Sequence, residues 1–94
     1  MNSESYEGPL APGRIVHGVV VGHHPWGIEL DLEEAEAFGT IDLRFLSDDP
    51  ADMNEGKYPQ IGVRLRAKVQ GTMPNGQLRL TIRASDLTVG GNNG

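Results

Sequence analysis

Five short apolar stretches, separated by gaps bearing glycine or proline, constrain this chain most. Ile15 to Val21 is β-branched and apolar, broken by Gly18. Ile28, Leu30 and Leu32 alternate with Glu29 and Asp31; Ile41, Leu43 and Phe45 alternate with Asp42 and Arg44. Val63, Leu65, Ala67 and Val69 alternate with Arg64, Arg66 and Lys68, and Leu78, Leu80 and Ile82 with Arg79, Thr81 and Arg83. A period of two places alternate side chains on opposite faces, so each stretch predicts a strand with one dry face. The 13 glycines and 6 prolines favour turns and short strands over long helices. Gly18 marks a sharp bend in the first strand, and Pro74-Asn75-Gly76 joins the last two as a hairpin, since Asn and Gly tolerate positive φ.

The longest gap, Ser47 to Gly62, lies between the third and fourth strands, and Asp48-Asp49-Pro50 there suits the cap of a short helix through Met53. Glu33 to Phe38 is either one helical turn or a loop. Five strands with an insertion after the third is the plan of an OB-fold, a coiled sheet closed into a barrel. A small open meander and an SH3-like barrel share the pattern. The barrel spans residues 13–86 in this reading, with loose tails at 1–12 and 87–94. Ninety-four residues suffice for one domain with a modest core.

The formal net charge of −5 disfavours phosphate, but the charges are segregated. Glu29 to Glu55 carries ten acids against one base, Arg44, whereas Val63 to Ser85 carries five bases (Arg64, Arg66, Lys68, Arg79 and Arg83) and no acid. Such a dipolar molecule orients on a charged partner despite its net charge. There is no cysteine, which excludes disulfides and thiolate metal sites. Met1 to Gly13 lacks a signal-peptide pattern and no apolar run is of membrane-spanning length, so a cytoplasmic monomer without membrane contact is expected.

Taken in order, Gly13-Arg-Ile-Val-His-Gly-Val-Val-Val, Pro25-Trp-Gly-Ile-Glu-Leu, Gly39-Thr-Ile-Asp-Leu, Tyr58-Pro-Gln-Ile-Gly-Val-Arg-Leu-Arg-Ala-Lys-Val and Gly76-Gln-Leu-Arg-Leu-Thr-Ile-Arg resemble the RNA-binding repeat of ribosomal protein S-one. The resemblance covers residues 13–83 and implies a five-stranded OB barrel that binds single-stranded RNA. Of the residues such repeats use, Trp26 falls on the first of two aromatic positions in the second strand; the second is Glu29. The family's third-strand histidine falls on Asp42, its acid after the fourth strand near Thr72, and its base at the fifth on Gln77.

Two functions follow. In the first, bases stack on Trp26 beside His23 and His24, while Arg44, Arg64, Arg66, Lys68 and Arg79 track the phosphate backbone, giving weak binding of single-stranded RNA. In the second, an acidic face of Glu29, Asp31 and Asp42 docks a protein partner. Trp26 equally suits a cap on the barrel end, and the basic row a solvated face. Adjacent histidines on an extended segment point to opposite sides, so no metal site is expected from His23, His24 and His17. Neither a nucleophile motif nor a phosphate-binding glycine loop is present, and no catalysis or cofactor is expected.

Overall fold

A computed structural model describes residues 11–87. Both expected tails fall outside it apart from Ala11, Pro12 and Leu87. Five strands form a closed barrel in the order β1-β2-β3-β5-β4: β1 (Ile15–His24), β2 (Gly27–Leu32), β3 (Phe38–Asp42), β4 (Arg64–Thr72) and β5 (Leu78–Thr81). All pairings are antiparallel except β3 with β5, which is parallel. A short helix, α1 (Ala84–Leu87), follows β5. The chain is thus an OB-type barrel, as the strand pattern and the motifs anticipate.

The inward faces meet as predicted. Val16, Val20, Ile28, Leu30, Ile41, Ala67, Val69, Leu78 and Leu80 are almost wholly buried. Burying one such larger side chain contributes about 1.5–3 kcal/mol. Gly18 lies where β1 presses on β2: a Cβ there would stand 3.0 Å from the Asp31 carbonyl and 3.1 Å from Leu30 Cβ. The ladder runs in register through Gly18, so the glycine answers to this close approach and not to the sharp bend expected there. A bulge at Val21, between the paired Val20 and Gly22, turns that side chain outward.

Two further local features differ from the sequence expectation. The third strand ends at Asp42, and Leu43–Phe45 is a 3-10 turn. The Asp42 carboxylate accepts the Arg44 backbone N–H at 2.9 Å and caps that turn. Capping beats the ladder here, because an Asp side chain offers the chain an alternative to continued pairing. Val63, expected in the core, precedes β4 at the barrel rim and is 40% exposed, with its carbonyl accepting from Val20 N. Of the two alternatives for Glu33 to Phe38 the structure shows the loop, with bends at Glu33 to Glu36. The short helix expected in the long insertion is the 3-10 turn Pro50–Asp52, which Asp49 caps by accepting from Ala51 N at 3.0 Å.

The segregated charges meet across the fold. Glu33 takes both Arg64 Nε and a terminal nitrogen, at 2.6 and 3.0 Å. Glu34 accepts from the His17 backbone and contacts its ring at 2.8 Å. Asp86 receives Arg83 Nε at 2.7 Å and the buried Thr81 hydroxyl at 2.6 Å, while Asp48 accepts from Ser85 N and Oγ.

These partners lower the carboxyl pKa values of Glu33 (bonded by Arg64), Asp48 (by Ser85) and Asp86 (by Arg83 and Thr81); for Glu34 burial acts to raise it, and the bonds from His17 and its own backbone together outweigh that and lower it. A depressed folded-state pKa adds stability that is complete above the unfolded value and lost as pH falls through the folded one. Tm is therefore expected to hold down to the ordinary carboxylate range, about pH 4, and to fall progressively below it. Thermal melts between pH 3 and pH 7 check this; a Tm flat to pH 3 would contradict it.

Candidate nucleic-acid interface

Beside the barrel's parallel junction lies an open groove of about 680 Å³. Its sides come from three places. Trp26 stands at the β1–β2 turn; Thr40, Asp42, Arg44 and Phe45 come from β3 and the turn after it; Gln70, Met73, Asn75, Gln77 and Arg79 come from the β4–β5 hairpin.

Trp26 is 44% exposed, and His24 stacks on it with ring centroids 4.6 Å apart and planes within 4°. His24 Nε2 lies 3.3 Å from Glu29 Oε1, which steadies the outer ring of the stack. Below, the buried Tyr58 donates its hydroxyl to the His24 carbonyl at 2.6 Å and holds the turn to the barrel. Leu43 N donates to the Trp26 carbonyl at 2.8 Å, tying this turn to the one after β3. The indole is thus a supported aromatic surface with solvent access. Gly27, next to it, has φ of +150°, and a Cβ there would lie only 2.0 Å from the Ile41 carbonyl oxygen. The Trp-Gly pair therefore combines an exposed ring with a backbone approach that has no room for a side chain.

Phe45, read from sequence as core, packs partly against the core and also lines the groove. The turn capped by Asp42 brings it there half-buried, with the Arg83 guanidinium 4.7 Å and that of Arg44 5.5 Å from its ring centre. Arg44 also forks onto Asp42, at 3.0 and 3.3 Å. The Arg44 bond, with Arg79 adding a smaller attraction, holds the Asp42 carboxyl below its usual range. Arg79 makes no ion pair among the described residues and is exposed at the groove edge.

The predicted site residues separate into those at the groove and those away from it. Trp26, Arg44, Arg79 and Asp42 line it, and His24 backs Trp26. His23 turns the other way, its Nε2 2.7 Å from the Pro59 carbonyl and its ring edge-on to Tyr58. Opposed directions for the two histidines follow from their extended backbone. On β4 the outward row runs Arg64, Arg66, Lys68, Gln70, and only Gln70 reaches the groove. Arg64, six residues from Gln70, is about 20 Å along the strand and is engaged by Glu33. Of the three acids, Glu29 faces His24, Asp42 holds Arg44, and Asp31 is exposed. Phe45, Gln70, Met73 and Thr40 were not singled out by sequence reasoning. Gln70 left a signal, as the one neutral amide ending a row of bases; Phe45 left none, because its spacing fits a strand.

A closed five-stranded barrel with an aromatic-edged groove beside its third and fifth strands defines the class: an OB-fold binding domain. The model of the S1 RNA binding domain matches residues 10–83, and the chain belongs to that family. No curated protein matches it. Among solved structures it is similar to the alpha subunit of aIF2 from Pyrococcus abyssi (24% identity, TM-score 0.66, 77% of this chain and 28% of that one). It is also similar to GSP13 from Bacillus subtilis (20% identity, TM-score 0.69, 88% and 63%). A third is RNase R of Mycoplasma genitalium in complex with ribose methylated single-stranded RNA (21% identity, TM-score 0.61, 76% and 13%). At these identities the likeness is one of fold, and the chain spans under a third of the first structure's length.

Proposed function

We propose that this domain is a non-catalytic module that binds single-stranded RNA weakly in the groove edged by Trp26. The observation that carries the reading is the half-exposed indole, supported from behind by His24 and opening onto a groove that also presents Phe45 and two arginines. Every base has a π-face, so a supported aromatic accepts bases with little regard to sequence. Arg44 and Arg79 supply the phosphate contacts. Membership of the S1 RNA binding domain family supports RNA as the ligand class.

The weakness has a cause in the same site. Arg44 is already forked onto Asp42, and a phosphate arriving there meets the carboxylate as well as the guanidinium. The second reading, an acidic docking face, has less support, since Glu29 and Asp42 are each engaged by a neighbouring base or histidine.

Trp26 is the sole tryptophan, so its fluorescence reports the groove directly. Single-stranded RNA is expected to quench it at low salt. With two phosphate contacts, the log–log slope of affinity against salt is expected to be about −1.4. Asp42→Asn keeps an oxygen for the Arg44 N–H and removes the charge, so RNA affinity is expected to rise about fivefold. Unchanged fluorescence at millimolar RNA would sink the proposal; unchanged affinity in Asp42→Asn would remove Asp42 as the source of weakness.

A further inference from the structure

Gln70 Oε1 is buried beside the groove and has no hydrogen-bond partner. Native proteins seldom leave a buried acceptor unpaired, and one at a ligand groove is explained by a donor that arrives with the ligand. The local backbone singles out the same residue. In the β4–β5 ladder Val69 faces Leu80 and Gly71 faces Arg79, so Gln70 is the extra, unopposed residue of a bulge. Bulges are over-represented next to binding sites, and here the bulged residue lines the groove.

The nearby hydroxyl is already committed. Thr40 Oγ1 lies 3.3 Å from Met73 Sδ and 3.4 Å from the Leu78 carbonyl, so it donates within the wall. Gln70 Oε1 is therefore an enclosed, unpaired acceptor that the neighbouring Thr40 hydroxyl does not satisfy.

Resting on the RNA-binding reading, we propose that Gln70 is a specificity-determining residue. Its Oε1 accepts the exocyclic amine of an adenine or cytosine stacked near Trp26, so the groove prefers these bases to uracil. The exocyclic amine is the outermost atom of its base edge and reaches an enclosed acceptor. The N3–H of uracil is recessed between two carbonyl oxygens, and seating it would press a carbonyl against Oε1. An enclosed acceptor discriminates because the wrong base leaves it unpaired.

The test compares oligo-A, oligo-C and oligo-U of equal length by anisotropy, using wild type, Gln70→Leu and Gln70→Glu. Wild type is expected to favour A and C over U by about tenfold. Gln70→Leu, similar in size and without an acceptor, is expected to bind all three alike. Gln70→Glu presents acceptors whichever way the group is turned, so it keeps the preference while its charge weakens all three affinities. Preference retained in Gln70→Leu, or lost in both variants, would overturn the role of Gln70 while leaving RNA binding in place. No binding of any oligomer by wild type would overturn the RNA-binding reading itself, and this inference with it.

Discussion

Gly27→Ala is expected to destabilise the barrel by more than about 3 kcal/mol, lowering Tm by roughly 12 °C or more. The added Cβ would land 2.0 Å from the Ile41 carbonyl oxygen and 2.9 Å from its carbonyl carbon. Neither atom can move aside cheaply. Ile41 is fully buried and pairs with Ile28, while Gly27 pairs with Asp42, whose side chain caps the next turn. The φ of +150° adds strain for any L side chain. For a domain of this size the loss is a large part of total stability. Gly71→Ala is the control: a Cβ at Gly71 meets nothing within 4 Å, and its Tm is expected to stay within a few degrees of wild type. A Gly27→Ala melt indistinguishable from that control would refute the packing argument.

Trp26→Ala is expected to do the reverse, sparing the fold and damaging binding. The ring is 44% exposed, and the backbone bond from Leu43 N to the Trp26 carbonyl survives the substitution. Loss of one stacking surface costs about 1–3 kcal/mol, so affinity for single-stranded RNA is expected to fall between about fivefold and two-hundredfold. Anisotropy of a labelled oligonucleotide measures it, since the variant has no tryptophan of its own. An unchanged affinity would return the indole to the role of a cap on the barrel end. Gly27 and Trp26 are neighbours in sequence, yet one carries the architecture and the other the surface.

Much of the architecture was legible because alternation is a strong signal where one face is buried. β2 reads directly as Ile28, Leu30 and Leu32 inside with Glu29 and Asp31 outside. The hairpin at Asn75-Gly76 was legible from residue type. What misled was a change of local conformation under unbroken alternation. Asp42 stops its strand with a side-chain hydrogen bond, and a period of two carries no mark of that, so the alternation reads Phe45 as a core strand residue, whereas it sits in a turn, packed partly against the core and also lining the groove. Charge was misleading for a related reason. The basic row on β4 is continuous in sequence, but its members meet different surroundings along about 20 Å of strand, and Arg64 finds Glu33 from a distant loop. The groove itself depends on the meeting of β3 with β5, a pairing between segments far apart in the chain.

The most direct measurement is an NMR titration of labelled protein with single-stranded RNA at low salt, read residue by residue. Shifts are predicted at the Trp26 indole, Arg44, Phe45, Gln70 and Arg79, fading as salt is added, with His23 and Arg64 little affected. Shifts centred on Arg64 and Arg66, or none at millimolar RNA, would contradict the assignment of this groove as the RNA-binding site.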